Sequence, residues 1–518
     1  MNFLNMIPTS NQLPIVSEPI QQLSFDDFLN GFKVKLQNAF HVNGDIDEFS
    51  IHRGLPPQVL QDIMSYNPLS ICIPKALGGR GAPIHQNLAI MSEASYESLA
   101  LSLTLSINYA LFIQPVTKYA QEEVKSPIFQ RFLKNHHMGG LMITEPSHGS
   151  DALNMQTAYT EVNGHYHLQG KKHWAGLTGM ANFWLLTARK RGDTGLRRDI
   201  DFFICDVNAP GQEIIVEEYF ENLGLYQIPY GRNHIDVIVP SNQRLIPITS
   251  GVQMMLDTLH RSRIQFPGMG LGFIKRMLDE AINHAQQRQV GNKSLSCYDQ
   301  VQQRLARLQA DFTICSALCT MGSEMADISY DLATFGLEAN IIKSITTDLM
   351  QDSSQSLLQL VGAKGYKLNH IAGRGIVDSR PFQIFEGSND ILYIQIAETL
   401  VKLMTTGKEK NFLKYMQRFR LGVFASDYLK DLLDFDISAT LAQRKLLTFG
   451  KVVSRIVAMD YVIQIGHRGF RKELINGALL MLKQEIVILI CDYTHKQEIV
   501  AVDSYEDQSF WLKFVKDK

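Results

Sequence analysis

The hydrophobic period of this chain changes twice along its length, and that double switch limits the folds open to it. From residue 24 to 137 apolar residues recur at helical spacing, as in 86–116, and the turn GGRG at 78–81 breaks the runs. From Met138 to about 245 the pattern becomes short strands: GLMITE, HYHLQGKKHW, NFWLLTARK, DFFICDV, EIIVEEYF and HIDVIVP. Asn163-Gly164, set between Thr160-Glu161-Val162 and His165-Tyr166-His167, is a two-residue hairpin signal. Evenly spaced strands with no helices between them predict an antiparallel barrel or sandwich. Helical periodicity returns at Met254, with helices expected over about 252–290, 297–336 and 339–361. A glycine turn at Gly362-Ala363-Lys364-Gly365-Tyr366 and a helix from Asn389 to about Met404 follow.

At 518 residues the chain exceeds one ordinary core. The expected fold class is therefore α+β multidomain. It has an N-terminal arm (1–23), an N-terminal α-helical domain (24–137), a central antiparallel β-barrel (138–248), a C-terminal four-helix bundle (249–404) and an additional C-terminal helical domain (405–518). The last segment should hold helices near 410–432, 438–467 and 473–496. It carries 18 Lys and Arg against 14 Asp and Glu, a net of +4 in a chain whose total is −2. The stripe Ala478, Leu479, Met481, Leu482, Ile486, Val487, Ile490 is read as packing on the bundle in preference to lying on a membrane.

Composition removes several classes of function. A near-neutral total charge gives no pull toward nucleic acid. No run of 18 apolar residues suggests a membrane span, and no positive charge precedes Glu18 as a secretory leader would require. A cytoplasmic location is expected. Cys72, Cys205, Cys297, Cys315, Cys319 and Cys491 include no CxxC pair, so free thiols are expected. The fifteen histidines show no HExxH spacing, so no catalytic metal is expected.

One carboxylate stands out. Glu386 follows the greasy run Phe382–Phe385 and precedes Gly387-Ser388 and an amphipathic helical pattern. Desolvation there would raise its pKa and make it a usable base near neutral pH. Taken alone, the segment is read more simply as a solvated acid at a helix start. Gly149-Ser150-Asp151 after a strand supplies a tight turn with exposed N–H groups and a hydroxyl. It suits a phosphate oxygen or an ordinary Asx turn equally.

Five segments carry a resemblance in order and separation. They are LMITEPSHGSDALNMQT (141–157), LQGKKHWAGLTGMANFWLLTARK (168–190), DTLHRSRIQFPGMGLGFIKRMLDEA (257–281), LQLVGAKGY (358–366) and IFEGSNDI (384–391). Over about residues 45–404 the chain resembles the acyl-CoA dehydrogenase flavoprotein family. The extension is similar in position to the extra helical domain of very-long-chain members. The resemblance implies FAD, with Leu141, Ile143 and Thr144 at the isoalloxazine edge, Gly149 and Ser150 at the pyrophosphate and Trp174 flanking the ring. Gly176 stands where a Thr hydroxyl normally reaches flavin N5, and Thr178 or water is the expected substitute. Arg288, Gln359, Gly362 and Gly365 match cross-subunit FAD contacts, and Ser388 follows the catalytic loop. Val290 and Ala363 depart from the usual pattern.

The resemblance further implies Glu386 as the base that removes the pro-R α-proton of an acyl thioester while the β-hydride passes to flavin N5. Arg263 matches the Arg kept near that base. Ser262 occupies the position where some members place the base instead. Expected partners are acyl-CoA or an acyl carrier protein as substrate, an electron-transfer flavoprotein as acceptor (with an O₂-using oxidase as the alternative), and a second copy of the chain. A dimer is favoured over a tetramer. A non-catalytic assembly protein on the same fold is the competing class.

Overall fold

The structure is a computed structural model that describes residues 22–495 and 500–515. The expected N-terminal arm lies almost wholly outside the described residues, and the expected helix end at 496 lies outside them too. The N-terminal third is helical. Ser24 caps the first helix, Phe25–Gln37, by accepting the Asp27 N–H (3.1 Å), and Phe28, Phe32 and Leu36 on one face are buried. The apolar stretch 86–116 divides where Ser98 leaves helical geometry and accepts the Leu101 N–H, starting a second helix at Leu99. A π turn at Tyr109–Ile113 follows.

The β region comprises β1 (Gly139–Met142), β2 (Ala158–Val162), β3 (His165–Gly176), β4 (Phe183–Gly192), β5 (Gly195–Leu196), β6 (Asp201–Asp206), β7 (Ile215–Tyr219) and β8 (Tyr230–Pro240). The β2–β3 hairpin turns at Asn163 (φ 50°) and Gly164 (φ 73°), the left-handed pair that the sequence announced. β3 pairs antiparallel with β8 and β8 with β7, while β6 pairs antiparallel with β4. The purely antiparallel barrel is corrected in two respects. β1 and β2 both run parallel to β4, and among the described residues no ladder joins β6 to β7, so the sheet stays an open half-barrel. β1 leaves the helical domain beside β4 and not beside its chain neighbour β2, a choice of partner that period-2 alternation does not encode.

The long helix Gly251–Gln287 follows, then Asp299–Met325, Gly336–Val361 and Asn389–Thr406. The helix expected to run to 336 stops at 325 because buried polar groups on the long helix capture the chain beyond it. Arg261 donates to the carbonyls of Asp327 (3.2 Å) and Ile328 (3.3 Å), and Asp257 accepts the Leu332 N–H (2.7 Å). In the extension, helices Gln443–His467 and Lys472–Thr494 form, but the expected helix 410–432 breaks into Phe412–Met416, Val423–Tyr428 and Lys430–Leu433. Buried Asp460 explains the restart: its Oδ1 accepts the Phe424 and Ala425 N–H groups (2.7 and 3.0 Å). Helix Gln443–His467 lies against Asn389–Thr406 so closely that a Cβ on Gly450 would sit 1.9 Å from the Tyr393 carbonyl oxygen. Among the described residues two helical stretches are long and apolar enough to cross a membrane, contrary to the expectation that none is. Leu99–Tyr119 is almost entirely buried, while Lys472–Thr494 leaves Leu480 and Ile488 exposed.

Candidate active site

The loop between the short 3₁₀ turn Arg380–Gln383 and helix Asn389–Thr406 carries Glu386 in a left-handed backbone conformation (φ 53°). A non-glycine residue holds that conformation only where its surroundings fix it. Here they do. Arg263 Nε donates to the Glu386 carbonyl (3.0 Å) and its Nη1 to Asn340 Oδ1 (2.7 Å). Lys343 Nζ donates to the Gly387 carbonyl and to Asn389 Oδ1, both at 2.8 Å. The Asn389 amide in turn donates to Asp348 Oδ1 (2.7 Å).

The carboxyl group itself is asymmetric. Ser262 Oγ donates to Oε1 at 2.6 Å, whereas Oε2 is buried with no hydrogen-bond partner. Burial pushes the Glu386 pKa above the usual carboxylate value, opposed by the Ser262 hydrogen bond and by the charges of Arg263 and Lys343. Burial also lowers Lys343, to about 7, although the Glu386 charge works to raise it. The Glu386 N–H has no backbone or side-chain acceptor among the described residues. The site therefore offers a proton acceptor with one unsatisfied oxygen and, on the backbone of the same residue, a free N–H donor.

The aromatic residues of the candidate site come from the half-barrel. Trp174 sits at the irregularity in the β3–β8 ladder with φ 56°, half exposed, its ring 4.5 Å from Phe220 and 6.3 Å from Tyr230. Burial raises the Tyr230 hydroxyl, and the charges of Asp378 and Glu386 add to the rise, so this edge of the half-barrel lies within electrostatic reach of the Glu386 loop. Leu141 lies in β1, and Ile143 and Thr144 continue it. The Ile143 carbonyl accepts from Lys172 Nζ (3.1 Å) and the Thr144 carbonyl from the His173 N–H (2.8 Å), so these residues and Trp174 meet at one edge. Fully buried Lys172 also holds Glu145 (3.1 Å), which anchors the exposed turn carrying Gly149 and Ser150.

The half-exposed indole at this edge and the Glu386 carboxylate with its buried, unpaired oxygen are the groups that a flat aromatic cofactor next to a substrate would need. One expected contact is corrected. Thr178 Oγ1 donates to the Ala175 carbonyl (2.7 Å) and accepts from Asn233 Nδ2 (3.1 Å), fully buried, so it cannot stand in for the hydroxyl missing at Gly176. A Cβ on Gly176 would itself lie 3.0 Å from Ile107 Cδ1 and 3.3 Å from Tyr230 Cε1.

Arg288, Gln359, Gly362 and Gly365 do not join this group within one chain. Arg288 caps the long helix, about 38 Å along its axis from Arg263 at about 1.5 Å per residue. Gly362 (φ 70°) ends helix Gly336–Val361, next to exposed Gln359, and Gly365 is buried against Ala372. Burial lowers His284, and the charges of Lys364 and Arg288 add to this, so both cations lie near the C-terminal end of the long helix. Ser388 precedes the helix Asn389–Thr406 without a side-chain cap. Sequence reasoning singled out Ser262 only as the absence of an acid and passed over Lys343, Asn340 and Asp348. Its only signal for Lys343 was a lone cation in the apolar run Ala339–Leu349.

The profiles of the N-terminal, middle and C-terminal domains of acyl-CoA dehydrogenases match residues 41–136, 140–237 and 249–401. The chain belongs to the acyl-CoA dehydrogenase family. An acyl-CoA dehydrogenase of Bacillus subtilis is 26% identical over 351 residues, 67% of this chain and 90% of that protein. The subunit CarC of the caffeyl-CoA reductase–Etf complex of Acetobacterium woodii is 24% identical over 360 residues, 69% of this chain and 93% of that one. Among solved structures, an acyl-CoA dehydrogenase of Bacillus anthracis complexed with FAD has a TM-score of 0.75 at 16% identity, covering 91% of this chain and 88% of that one. The prolyl acyl carrier protein oxidase AnaB has a TM-score of 0.66 at 17% identity, covering 73% and 98%.

Proposed function

We propose that the protein is an FAD-dependent oxidoreductase that converts an acyl-CoA to its trans-2-enoyl thioester, with Glu386 removing the α-proton. The observation that carries this reading is the buried Glu386 Oε2, which has no partner of its own beside a free N–H of the same residue. FAD, when bound, supplies the acceptor for the β-hydride. Leu141, Ile143 and Thr144 with Trp174 would meet its ring, and Gly149 and Ser150 its pyrophosphate. Arg288, Gln359, Gly362 and Gly365, remote from the base in their own chain, would serve the site of a second copy.

The chain's own residues divide the remaining work. Glu386 Oε2 takes the α-proton. The Glu386 N–H hydrogen-bonds the thioester carbonyl and stabilises the charge that builds there, a contribution of about 10²–10³-fold for one such donor. Ser262 opposes the rise in pKa that burial imposes on the base, and so favours the ionised form that accepts a proton. Arg263 and Lys343 hold the two carbonyls of the loop, so the carboxylate and the N–H keep one relative orientation.

An electron-transferring flavoprotein is the proposed electron acceptor. Coenzyme A is the proposed carrier; the +4 extension is the observation that keeps an acidic acyl carrier protein as the alternative. The test is anaerobic bleaching of the flavin by acyl thioesters. E386Q should keep its FAD and lose nearly all reduction, and near-normal reduction in that variant overturns the assignment.

A further inference from the structure

The extension beyond residue 404 reaches the catalytic loop through one buried carboxylate. Asp348, on helix Gly336–Val361, grips the loop at both ends. Its Oδ1 accepts Gln383 Nε2 (2.8 Å), three residues before Glu386, and Asn389 Nδ2 (2.7 Å), three residues after it. Through Asn389 Oδ1 the grip extends to Lys343, which holds the Gly387 carbonyl. A staple of this kind is what a non-glycine residue at φ 53° requires.

An anion in that place needs a counter-charge, and the loop supplies none. The cation comes from the extension. Arg455, on helix Gln443–His467, places Nη2 3.3 Å from Asp348 Oδ2 and donates through Nη1 to the Tyr393 hydroxyl (2.6 Å), which donates to the same Oδ2 (2.7 Å). Arg455 is fixed from behind by Glu485 of helix Lys472–Thr494 (3.3 Å), and Glu485 is paired in turn with Arg307 of the bundle. The close backbone approach at Gly450 holds the Arg455 helix in register with Tyr393. Burial works to raise Asp348, and the Arg455 charge is the first influence that keeps it low. An anionic Asp348 can accept from all four donors, Gln383, Asn389, Tyr393 and Arg455, whereas a protonated one gives up part of that capacity.

We propose that Arg455 is a positioning residue for the dehydrogenation: through its contacts with Asp348 Oδ2 and the Tyr393 hydroxyl it holds Asp348 in place, and Asp348 in turn sets the Glu386 loop. The extension would then form part of the active-site support as well as an appended domain. The proposal rests on Glu386 as the base. Arg455 reaches the Glu386 loop only through Asp348 and Tyr393 among the described contacts, so its loss should move the rate of the bound complex and leave substrate affinity alone.

The test compares R455M, Y393F, D348N and the double variant R455M/D348N, all as FAD-loaded full-length protein, with E386Q run in parallel. The readout is anaerobic flavin reduction over a range of acyl thioester concentrations. A misplacement of about 1 Å costs on the order of 10²-fold in rate. R455M should therefore lower the limiting reduction rate about 10²-fold, with the half-saturating concentration within about threefold of wild type. Y393F removes the bridging hydroxyl and should lower the limiting rate several-fold with the same split. Removing both charges should lose less than the product of the two single losses, because no buried charge is left unpaired.

A limiting rate within about twofold of wild type in R455M overturns the proposal. If R455M yields no folded protein, an unchanged limiting rate in Y393F overturns it. E386Q separates the two claims: full reduction there removes the base assignment whatever the Arg455 series shows, and lost reduction there with an unaffected Arg455 series removes the positioning role alone.

Discussion

Ser262→Ala perturbs one hydrogen bond at the base and should move a measurable pH limb. Ser262 Oγ lies 2.6 Å from Glu386 Oε1 and is the only hydroxyl on that carboxyl group among the described residues. A hydrogen bond to a charged group contributes about 1.5–3 kcal/mol. It favours the ionised form, so its loss raises the Glu386 pKa, and at about 1.36 kcal/mol per unit the rise is about 1–2 units. The charges of Arg263 and Lys343, which also lower Glu386, stay where they are, so the rise stops there. A base must be unprotonated to act. The acid limb of the flavin-reduction rate should therefore move about 1–2 units toward higher pH, with the rate falling about tenfold per unit below the new limb and the alkaline plateau near its wild-type level. The assay is anaerobic stopped-flow reduction with one acyl thioester across the pH range over which the FAD-loaded protein stays folded. A limb that stays in place refutes the reasoning, because the hydrogen bond would then not act on the catalytic carboxylate. A limb that moves to lower pH refutes it more directly, since Ser262 would be stabilising the protonated form.

Four further outcomes follow from the same geometry. Glu386 is raised above its ordinary 4.5, so its favourable contribution is complete below that value and is lost as pH rises through the folded pKa; E386Q should out-melt wild type at pH 8, with the gap closing near pH 4 in thermal scans. Lys343 is lowered from 10.5 to about 7, so the unfolded chain binds the extra proton between those values. Wild type should gain stability relative to K343M as pH rises through that window, measured by urea unfolding. K172M strands Glu145 as a buried unpaired anion and should cost about 3–5 kcal/mol, read as a fall in melting temperature that K172M/E145Q largely recovers. D460A uncaps helix Val423–Tyr428 and should cost about 1–2 kcal/mol, seen in denaturant midpoints with flavin reduction intact.

The parts of the fold that were legible in the sequence are those that local chemistry decides. Asn163-Gly164 takes two left-handed residues because no other common pair takes them so easily, and the flanking alternation settles β2 and β3. Strand partnership is different. β1 and β2 both choose β4 in parallel, and nothing in GLMITE or AYTEV distinguishes a parallel neighbour from an antiparallel one. The breaks were hidden for a related reason. The chain from 410 to 432 has helical periodicity, and what restarts the helix at Val423 is a carboxylate 36 residues beyond Phe424, at Asp460. The site divides along the same line. Glu386 could be found because a lone acid behind an aromatic run is visible in one dimension and the motifs around it are spaced in order. The groups that tune and hold it come from elsewhere: Ser262 from the long helix, Lys343 and Asp348 from another, Arg455 from the extension. Each looks unremarkable in its own segment, since a serine, a lysine, an aspartate and an arginine on helices are usually solvated. Only burial gives them meaning, because a polar group withdrawn from water must find a partner. The partner network of Glu386 is therefore set by tertiary packing, and it crosses from the family's three domains into a segment that their profiles do not match.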